Sequence, residues 1–171
     1  MPTDLVALKA FLSRTPFFGG LADEMLDRLV AMLVLRELPR GETVFREGDL
    51  GRSMYVVETG ELLACQSGES GRAVKLMRFN AGDFFGETTL IEMQPRPFSV
   101  TVERDARLFE LTTTNLYELY RKDVKAYVLV LQNINRELCR RLRAASNRVT
   151  AFADDAEDDV TQIGMRAVKK R

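Results

Sequence analysis

The chain has 171 residues, 46% of them apolar, and its 25 Lys and Arg residues balance 25 Asp and Glu residues. That length predicts one domain with a buried core and an appended element, and the zero net charge excludes a long-range attraction of the whole molecule to nucleic acid or to anionic membranes. Histidine is absent, so the commonest metal ligand and the commonest general base are missing, and we expect neither a metal site nor a catalytic centre.

Apolar residues recur at helical spacing in two N-terminal segments, from Asp4 to Leu12 and from Ala22 to Leu35. In the second segment the apolar stripe consists of Leu26, Leu29, Val30 and Leu33. This period predicts that residues 1–35 contain two helices.

The sequence changes at about residue 36 to short alternating runs separated by glycine-containing turns. The turns fall at Gly41-Glu42, Gly48-Asp49, Gly60-Glu61, Gly68 to Gly71 and Gly82-Asp83, and the clearest strands are Met54–Val57, Leu62–Cys65, Val74–Met77 and Ser99–Val102. Turns roughly 8 to 12 residues apart are typical of an antiparallel sandwich or jelly roll and not of a parallel sheet. We therefore predict a mainly β domain over residues 36–112, with flanking helices.

Residues 113–153 are predicted to be helical. Thr113 or Thr114 is placed to cap a short helix that runs through Tyr120. The longer helix after it has an apolar seam whose members are separated alternately by four and three residues: Val124, Val128, Leu131, Asn135, Leu138, Leu142, Ala145, Val149 and Phe152. A seam of about four heptads indicates a coiled coil, in which Asn135 would fix the register of a parallel homodimer. The alternative is an amphipathic helix that lies on the β domain.

Residues 154–171 are predicted to form a flexible charged tail. An acidic cluster there is followed by a basic end, formed by Arg166, Lys169, Lys170 and Arg171. This composition is typical of a solvated segment, and such a basic end is more often solubilising than nucleic-acid binding. Direct nucleic-acid binding is therefore not expected.

The cysteines and the absence of export features indicate the cellular compartment of the protein. Cys65 and Cys139 are the only cysteines and lie far apart, which suits free thiols in a reducing compartment. No apolar run approaches the ~18 residues of a membrane span, and the N terminus lacks an export signal. We expect a cytoplasmic protein without membrane contact.

The segment Gly82–Leu90, closed by Pro95-Arg96 and Ser99, has the composition of a phosphate cradle. A glycine frees the backbone so that amide N–H groups converge on an anion, and one arginine adds a bidentate charged clamp. Glu87 would repel a bare phosphate but would accept a hydrogen bond from a sugar hydroxyl beside it, so the predicted ligand is a nucleotide. The alternative for Glu87 and Arg96 is a surface ion pair at the edge of a short helix.

From Pro16-Phe17-Phe18 through the long helix, the sequence resembles the cyclic nucleotide-binding domain. That domain is shared by bacterial catabolite activator proteins, protein kinase regulatory subunits and cyclic nucleotide-gated channels. The motifs that support the resemblance are Gly41-Glu42, Glu47-Gly48-Asp49, Met54–Val57, Gly60-Glu61 and Gly82–Glu87 with Pro95-Arg96. Their order and spacing are together specific for this family.

The resemblance implies a β-roll in which Gly86, Thr88 and neighbouring amides hold a cyclic phosphate. Arg96 would neutralise that phosphate, and Glu87 would take the ribose 2′-hydroxyl. In the catabolite activators the long helix forms the dimer and also touches the purine, and Ser146 is the residue here that would make the base contact. The whole predicted phosphate and ribose site is Phe85, Gly86, Glu87, Thr88, Thr89, Arg96, Pro97, Phe98 and Ser99.

The chain departs from the family pattern within this site. Thr88-Thr89 stand where an aliphatic residue and alanine are usual, but threonine keeps the backbone N–H. Pro97 has no N–H to offer a phosphate, and losing one hydrogen bond to a charged group costs roughly 1.5 to 3 kcal/mol. Phe98 either packs in the core or contacts the sugar or base, and Ala145 replaces a hydroxyl residue often found beside the base contact.

These features favour a non-catalytic regulatory protein that binds a cyclic nucleotide, with cyclic AMP first among the candidates. It would signal to an unknown downstream protein through a shift of its long helix, and no cofactor apart from the ligand is expected. Two alternatives stay open: a dimeric interaction module with a degenerate pocket, and the effector part of a catabolite activator-like transcription regulator. About 19 residues follow Phe152, too few for a helix-turn-helix pair.

Overall fold

A computed structural model of the chain describes the backbone of residues 5–68 and 71–168 and the side chains of residues 6–68 and 71–153. The chain divides into two compact units, Met1–Ile134 and Asn135–Arg171. The helices are α1 (Leu5–Leu12), α2 (Asp23–Val30), α3 (Glu87–Glu92), α4 (Thr113–Lys122) and α5 (Val124–Val168), with a 3-10 turn at Pro16–Phe18. Among the helices in this described part, none has the length and apolar content that crossing a membrane would need.

In the described residues, six strands form one antiparallel sheet in the order β1-β6-β3-β4, with β2 paired to β6 and β5 paired to β3. The strands are β1 (Val34–Leu38), β2 (Thr43–Phe45), β3 (Ser53–Ser67), β4 (Ala73–Asn80), β5 (Phe84–Phe85) and β6 (Ser99–Thr112). The long strands β3 and β6 pair from Ser53 with Thr112 to Cys65 with Ser99. The predicted mainly β fold with flanking helices is confirmed, and each predicted strand run lies inside a strand of the sheet.

The prediction of a turn at Gly60-Glu61 is wrong, because strand β3 runs through Gly60 and the chain does not reverse there. Gly60 has φ +99°, and the register between β3 and β6 shifts around it. A Cβ at Gly60 would lie 2.6 Å from Ala106 Cα. Glycine therefore marks a bulge where the backbones of two strands approach closely, a use of glycine that the sequence alone does not distinguish from a turn.

The hydrophobic core combines alternate residues of the strands with phenylalanine rings. Its buried members are Phe45, Val57, Leu62, Ala64, Phe79, Phe85, Val100, Val102, Ala106 and Leu108. Phe85 stacks on Phe79, with ring centroids 4.7 Å apart, and on Tyr55, with centroids 5.4 Å apart. Because Phe85 directly precedes Gly86, this packing fixes the start of the segment predicted to bind phosphate.

The second N-terminal helix is shorter than its apolar period predicts. The sequence predicts a helix up to Leu35, whereas α2 ends at Val30. Val34 and Leu35, at the end of the predicted helix, pair instead with β6 as the beginning of β1. Aliphatic residues suit either structure, and here the hydrogen bonds to a neighbouring strand override the helical period.

Helix α4 is capped by Thr112 and not by the predicted Thr113 or Thr114. Thr112 Oγ1 accepts a hydrogen bond from Asn115 N at 3.1 Å, and Asn115 Oδ1 accepts one from Thr112 N at 3.0 Å. This reciprocal pair is a capping box. Among three consecutive threonines, only Thr112 has a hydrogen-bonding amide three residues later in the chain.

One face of the first turns of α5 is buried, and its buried residues are Ala126, Val130, Asn133 and Ile134. Asn133 Nδ2 donates hydrogen bonds to Phe17 O at 2.9 Å and to Gly19 O at 2.8 Å. These bonds satisfy two carbonyls of the 3-10 turn and attach that turn to the helix. The sequence analysis did not single out Asn133, because the heptad pattern draws attention to Asn135 instead.

The predicted seam lies on a different face of α5. Its exposed residues are Val124, Val128, Asn135, Leu142, Ala145, Val149 and Phe152, and Leu131 and Leu138 are half-buried. The helix continues to Val168, beyond the end expected at residue 153. The charged side chains predicted to form a tail after residue 153 lie outside the described residues.

Replacing Asn133 with alanine is expected to lower the free energy of unfolding by ~1–3 kcal/mol, because the carbonyls of Phe17 and Gly19 lose their donor. Urea unfolding followed by circular dichroism measures this loss. Gln132→Ala, at an exposed position of the same helix, is the control and should change the free energy of unfolding by less than about 0.5 kcal/mol. Equal effects of the two substitutions would contradict an anchoring role for Asn133.

Candidate functional site

The chain turns sharply between β5 and α3 at Gly86, which has φ +81° and is the N-cap of α3. A Cβ on Gly86 would lie 2.7 Å from Arg96 Nη1 and 3.2 Å from Ser53 O. Glycine is therefore required here both for the left-handed backbone and for the close approach of the arginine. The fold thus brings Gly86, Arg96 and the first residue of β3 together.

The Arg96 side chain is buried, with 3% of its surface exposed. Nη1 donates to Gly86 O at 2.9 Å and to Thr89 Oγ1 at 3.2 Å, and Nη2 donates to Ser53 O at 2.6 Å. Within the described residues, Arg96 Nε has no hydrogen-bond acceptor. A buried charge is tolerated when its polar groups are hydrogen-bonded, and two of the acceptors here are backbone carbonyls.

The guanidinium group is also closely packed. Its Cζ atom lies 4.0 Å from the centroid of the Phe45 ring, within the range of a cation–π contact. A Cβ at Gly51 would lie 2.5 Å from Arg96 Cζ and 2.7 Å from Thr89 Cγ2. Gly51 is therefore a second glycine whose missing side chain makes room for Arg96.

The main chain of Arg96 pairs with the predicted turn at Gly48-Asp49. Arg96 N donates to Asp49 O at 2.8 Å, and Arg96 O accepts from Gly48 N at 2.9 Å. Asp49 Oδ2 accepts a further hydrogen bond from Arg46 N at 2.8 Å. The turn is thereby held in a defined conformation directly beside the buried arginine.

The site holds a buried positive charge surrounded by groups of opposite sign. Burial lowers the pKa of Arg96, while Tyr55 and the carboxylates of Asp49, Glu87 and Glu110 act to raise that pKa. An arginine pKa starts so far above neutral that the side chain stays charged. Arg96 is therefore a full positive charge in a place with little water.

Ser53, whose carbonyl accepts from Arg96, also begins a side-chain network. Ser53 Oγ donates to Tyr55 Oη at 3.1 Å, and Glu110 lies between Tyr55 Oη at 3.4 Å and Arg36 Nε at 2.8 Å. Burial raises the pKa of Tyr55. Burial also acts to raise the pKa of Glu110, but hydrogen bonding within this network and the charge of Arg36 outweigh burial and hold that pKa below its ordinary value.

Glu87 is the first residue of α3, and only 2% of its surface is exposed. Because Glu87 and Arg96 are both buried, the alternative of a surface ion pair is excluded. Thr88, next in the helix, is half-buried, and Thr89 is buried with its hydroxyl at Arg96.

The three residues after the arginine differ in their surroundings. Pro97 is exposed, whereas Phe98 is half-buried and packs on the core, with its ring centroid 6.3 Å from that of Phe45. Ser99 Oγ accepts a hydrogen bond from Glu47 N at 2.9 Å. Of the two interpretations of Phe98, its packing favours the core residue over the ligand contact.

Ser146 belongs to the unit Asn135–Arg171 and is exposed. Its contact with a purine base stays a prediction. The same holds for the dimer seam along α5.

Three residues of the site were missed by sequence reasoning: Phe45, Gly51 and Ser53. Ser53 contributes its carbonyl and Gly51 contributes the absence of a side chain, so neither residue type signals its role. The available signal was the second glycine in Gly48-Asp49-Leu50-Gly51, which a simple turn does not require.

Comparison with protein families matches residues 35–123, just over half of the chain, to the cyclic nucleotide-binding domain. The chain belongs to the cyclic nucleotide-binding domain family. The matched residues contain Gly86, Glu87 and Arg96, and the family resemblance drawn from the motifs is confirmed.

The relatives of this chain are longer proteins of different kinds. The cyclic AMP receptor protein of Thermus thermophilus is 32% identical over 135 residues, which are 77% of this chain and 59% of that protein. A cAMP-dependent protein kinase regulatory subunit of Aspergillus niger is 30% identical over 103 residues, 60% of this chain and 24% of that protein. The crystal structure of the Thermus thermophilus catabolite activator protein superposes with a TM-score of 0.72 at 29% identity, covering 81% of this chain and 63% of that chain. This chain therefore spans less than two thirds of the length of these relatives.

Gly51→Ala is expected to lower the free energy of unfolding by ~1–3 kcal/mol, because the new Cβ overlaps Arg96 and Thr89. Urea unfolding measures the loss, and Gly19→Ala is the control. A Cβ at Gly19 meets its nearest atom at 3.4 Å, so this variant should lose less than about 1 kcal/mol. A Gly51→Ala protein as stable as the control would contradict close packing of the guanidinium against residue 51.

Proposed function

We propose that this chain is a regulatory, non-catalytic protein that binds a cyclic nucleotide, with cyclic AMP as its ligand. The observation that supports this most directly is the buried, charged Arg96, in contact with Gly86 and near the buried carboxylate of Glu87. Support also comes from the relatives, among them a cyclic AMP receptor and a regulatory subunit of a cAMP-dependent kinase. The free thiols of Cys65 and Cys139 favour a reducing, cytoplasmic location.

In this proposal each polar group of the site has one task. Arg96 neutralises the cyclic phosphate, and backbone amides of Gly86, Thr88 and Thr89 donate to its oxygens. Glu87 accepts a hydrogen bond from the ribose 2′-hydroxyl. A planar guanidinium matches two phosphate oxygens at once, and low water content strengthens that attraction. The carboxylate disfavours inorganic phosphate, so selectivity for a sugar phosphate follows from the same pair.

Pro97 sets an upper limit on how strongly such a site binds. It offers no backbone N–H to the phosphate, and one missing hydrogen bond to a charged group costs roughly 1.5 to 3 kcal/mol, or about one to two decades of affinity. We therefore propose binding that is specific but weaker than a site with a donor at this position.

We further propose that the chain forms a parallel homodimer through the α5 seam and that ligand binding shifts α5. Support comes from the exposure of Val124, Val128, Leu142, Val149 and Phe152, whose apolar side chains recur every three or four residues. The face with Ala126 and Val130 is already buried in the first unit, so the seam is left available for a second copy. The downstream partner would be a protein that recognises the dimer.

A second candidate is a dimeric interaction module whose pocket no longer binds nucleotide. The observation that favours it is that Nη1 and Nη2 of Arg96 already donate to internal acceptors, which are Gly86 O, Thr89 Oγ1 and Ser53 O. A part in transcription control is suggested by a bacterial relative named as a cAMP-activated global transcriptional regulator.

Calorimetric titration with cyclic AMP, cyclic GMP and cyclic di-GMP tests the proposed function. We expect saturable binding of cyclic AMP, weakened by about 100-fold or more in Arg96→Ala because the charged fork to the phosphate is lost. Since Arg96 is buried and hydrogen-bonded to several segments, thermal unfolding of Arg96→Ala must be measured alongside the titration to show that the variant is folded. Glu87→Gln provides a second variant that keeps the side-chain shape.

The matched control for this experiment is Arg40→Ala, an exposed arginine in the turn before β2, which should bind as the unmodified protein does. Failure of all three nucleotides to produce heat or thermal stabilisation would favour the interaction module. Unchanged binding by a folded Arg96→Ala protein would remove the phosphate assignment altogether.

Sedimentation equilibrium tests the proposed dimer. Leu142→Glu places a charge in the seam and should weaken dimerisation by at least about tenfold, because a desolvated carboxylate is strongly disfavoured there. Ala144→Glu changes an exposed residue of the same helix that is not part of the seam, and it should leave the dimer intact. A monomeric unmodified chain, or an unchanged dimer with Leu142→Glu, would exclude this interface.

A further inference from the structure

The guanidinium group assigned to the phosphate is hydrogen-bonded to the protein itself in this structure. Its acceptors are the backbone carbonyls of Gly86 and Ser53 and the hydroxyl of Thr89. With 3% of its surface exposed, Arg96 is not reached from solvent unless the site rearranges. Binding of a phosphate would therefore exchange internal acceptors for phosphate oxygens.

This buried position leaves the guanidinium incompletely satisfied. Arg96 Nε has no acceptor within the described residues, although the atom is buried. An N–H group buried in this way is unfavourable, and a phosphate oxygen would supply the missing acceptor. The equilibrium between a buried and a phosphate-bound position of the Arg96 side chain therefore depends on the few internal hydrogen bonds that hold it.

Among those internal bonds, the one from Thr89 depends on the identity of a side chain. Gly86 and Ser53 accept through carbonyls that any residue would offer, whereas the Thr89 hydroxyl accepts from Nη1 at 3.2 Å. Valine at this position would keep the shape and remove the acceptor. Serine would keep the acceptor and remove the methyl group that lies near Gly51.

We propose that the Thr89 hydroxyl holds Arg96 in its buried position and thereby lowers the affinity of the site for a cyclic phosphate. This inference rests on the proposed function and deepens it. Thr89 is a positioning residue here, since it acts on the ligand through Arg96. Its neighbour Thr88 is half-buried and makes no such bond in the described structure.

The test is calorimetric titration of cyclic AMP into the unmodified protein, Thr89→Val, Thr89→Ser and the control Thr114→Val, which changes an exposed threonine of α4 outside the site. Thr89→Val should bind about three- to tenfold more tightly, the effect of removing one hydrogen bond that opposes release of the guanidinium. Thr89→Ser should bind like the unmodified protein, because its hydroxyl restores the bond. Thr114→Val should also leave the affinity unchanged.

A second readout needs no nucleotide. In ¹H–¹⁵N NMR spectra the Arg96 Nε–H signal, identified by its loss in Arg96→Lys, should exchange slowly with water in the unmodified protein and in Thr89→Ser. It should exchange faster in Thr89→Val, since the guanidinium is then held less firmly.

The outcomes separate the two proposals. Equal or weaker binding by Thr89→Val, or tighter binding by Thr89→Ser, would overturn the role of the hydroxyl while leaving nucleotide binding in place. Absence of nucleotide binding in every variant would overturn the proposed function. If Nε–H exchange still accelerated in Thr89→Val, the restraint on Arg96 would nevertheless be supported.

Discussion

A buried arginine is the constraint on which the geometry of the candidate site depends. Taking a guanidinium out of water is costly unless its N–H groups find acceptors, and Arg96 finds them in β3, in the turn before α3 and in α3 itself. Its main chain is at the same time paired with Gly48 and Asp49. Two short segments, residues 48–53 and 86–89, must therefore meet Arg96 before this charge is stabilised, so Arg96 ties these parts of the fold together as well as being the candidate phosphate clamp.

The surroundings of that charge are built more from backbone than from side chains. Carbonyl groups point where strand pairing directs them, and Ser53 is held by pairing with Thr112 across the sheet. Gly51 and Gly86 then allow the arginine to approach to distances that any Cβ would prevent. The geometry of this site therefore depends on its glycines as well as on Arg96.

The sequence predicted those parts of the molecule whose physical cause is local. Alternating apolar runs identified the strands, and two residues of the predicted site, Gly86 and Arg96, are hydrogen-bonded to each other. The errors have non-local causes: pairing with β6 ended α2 at Val30, and a close approach of two strands placed a bulge at Gly60. The burial of Arg96 and its bond to Thr89 were likewise invisible, because no local pattern distinguishes a buried arginine from an exposed one.

The same contacts provide a continuous connection from the site toward the long helix. Ser53 follows Arg52, whose carbonyl accepts hydrogen bonds from Thr113 N at 2.8 Å and Thr113 Oγ1 at 3.0 Å at the beginning of α4. Helix α4 then leads to α5 with a single residue between them. A ligand shifts a helix only to the extent that it binds the two helix positions with different affinity. If Arg96 exchanged the Ser53 carbonyl for a phosphate oxygen, the change would occur one residue from the Arg52 carbonyl that holds the start of α4. Arg96 is therefore where a difference in ligand affinity between two positions of the helix would arise.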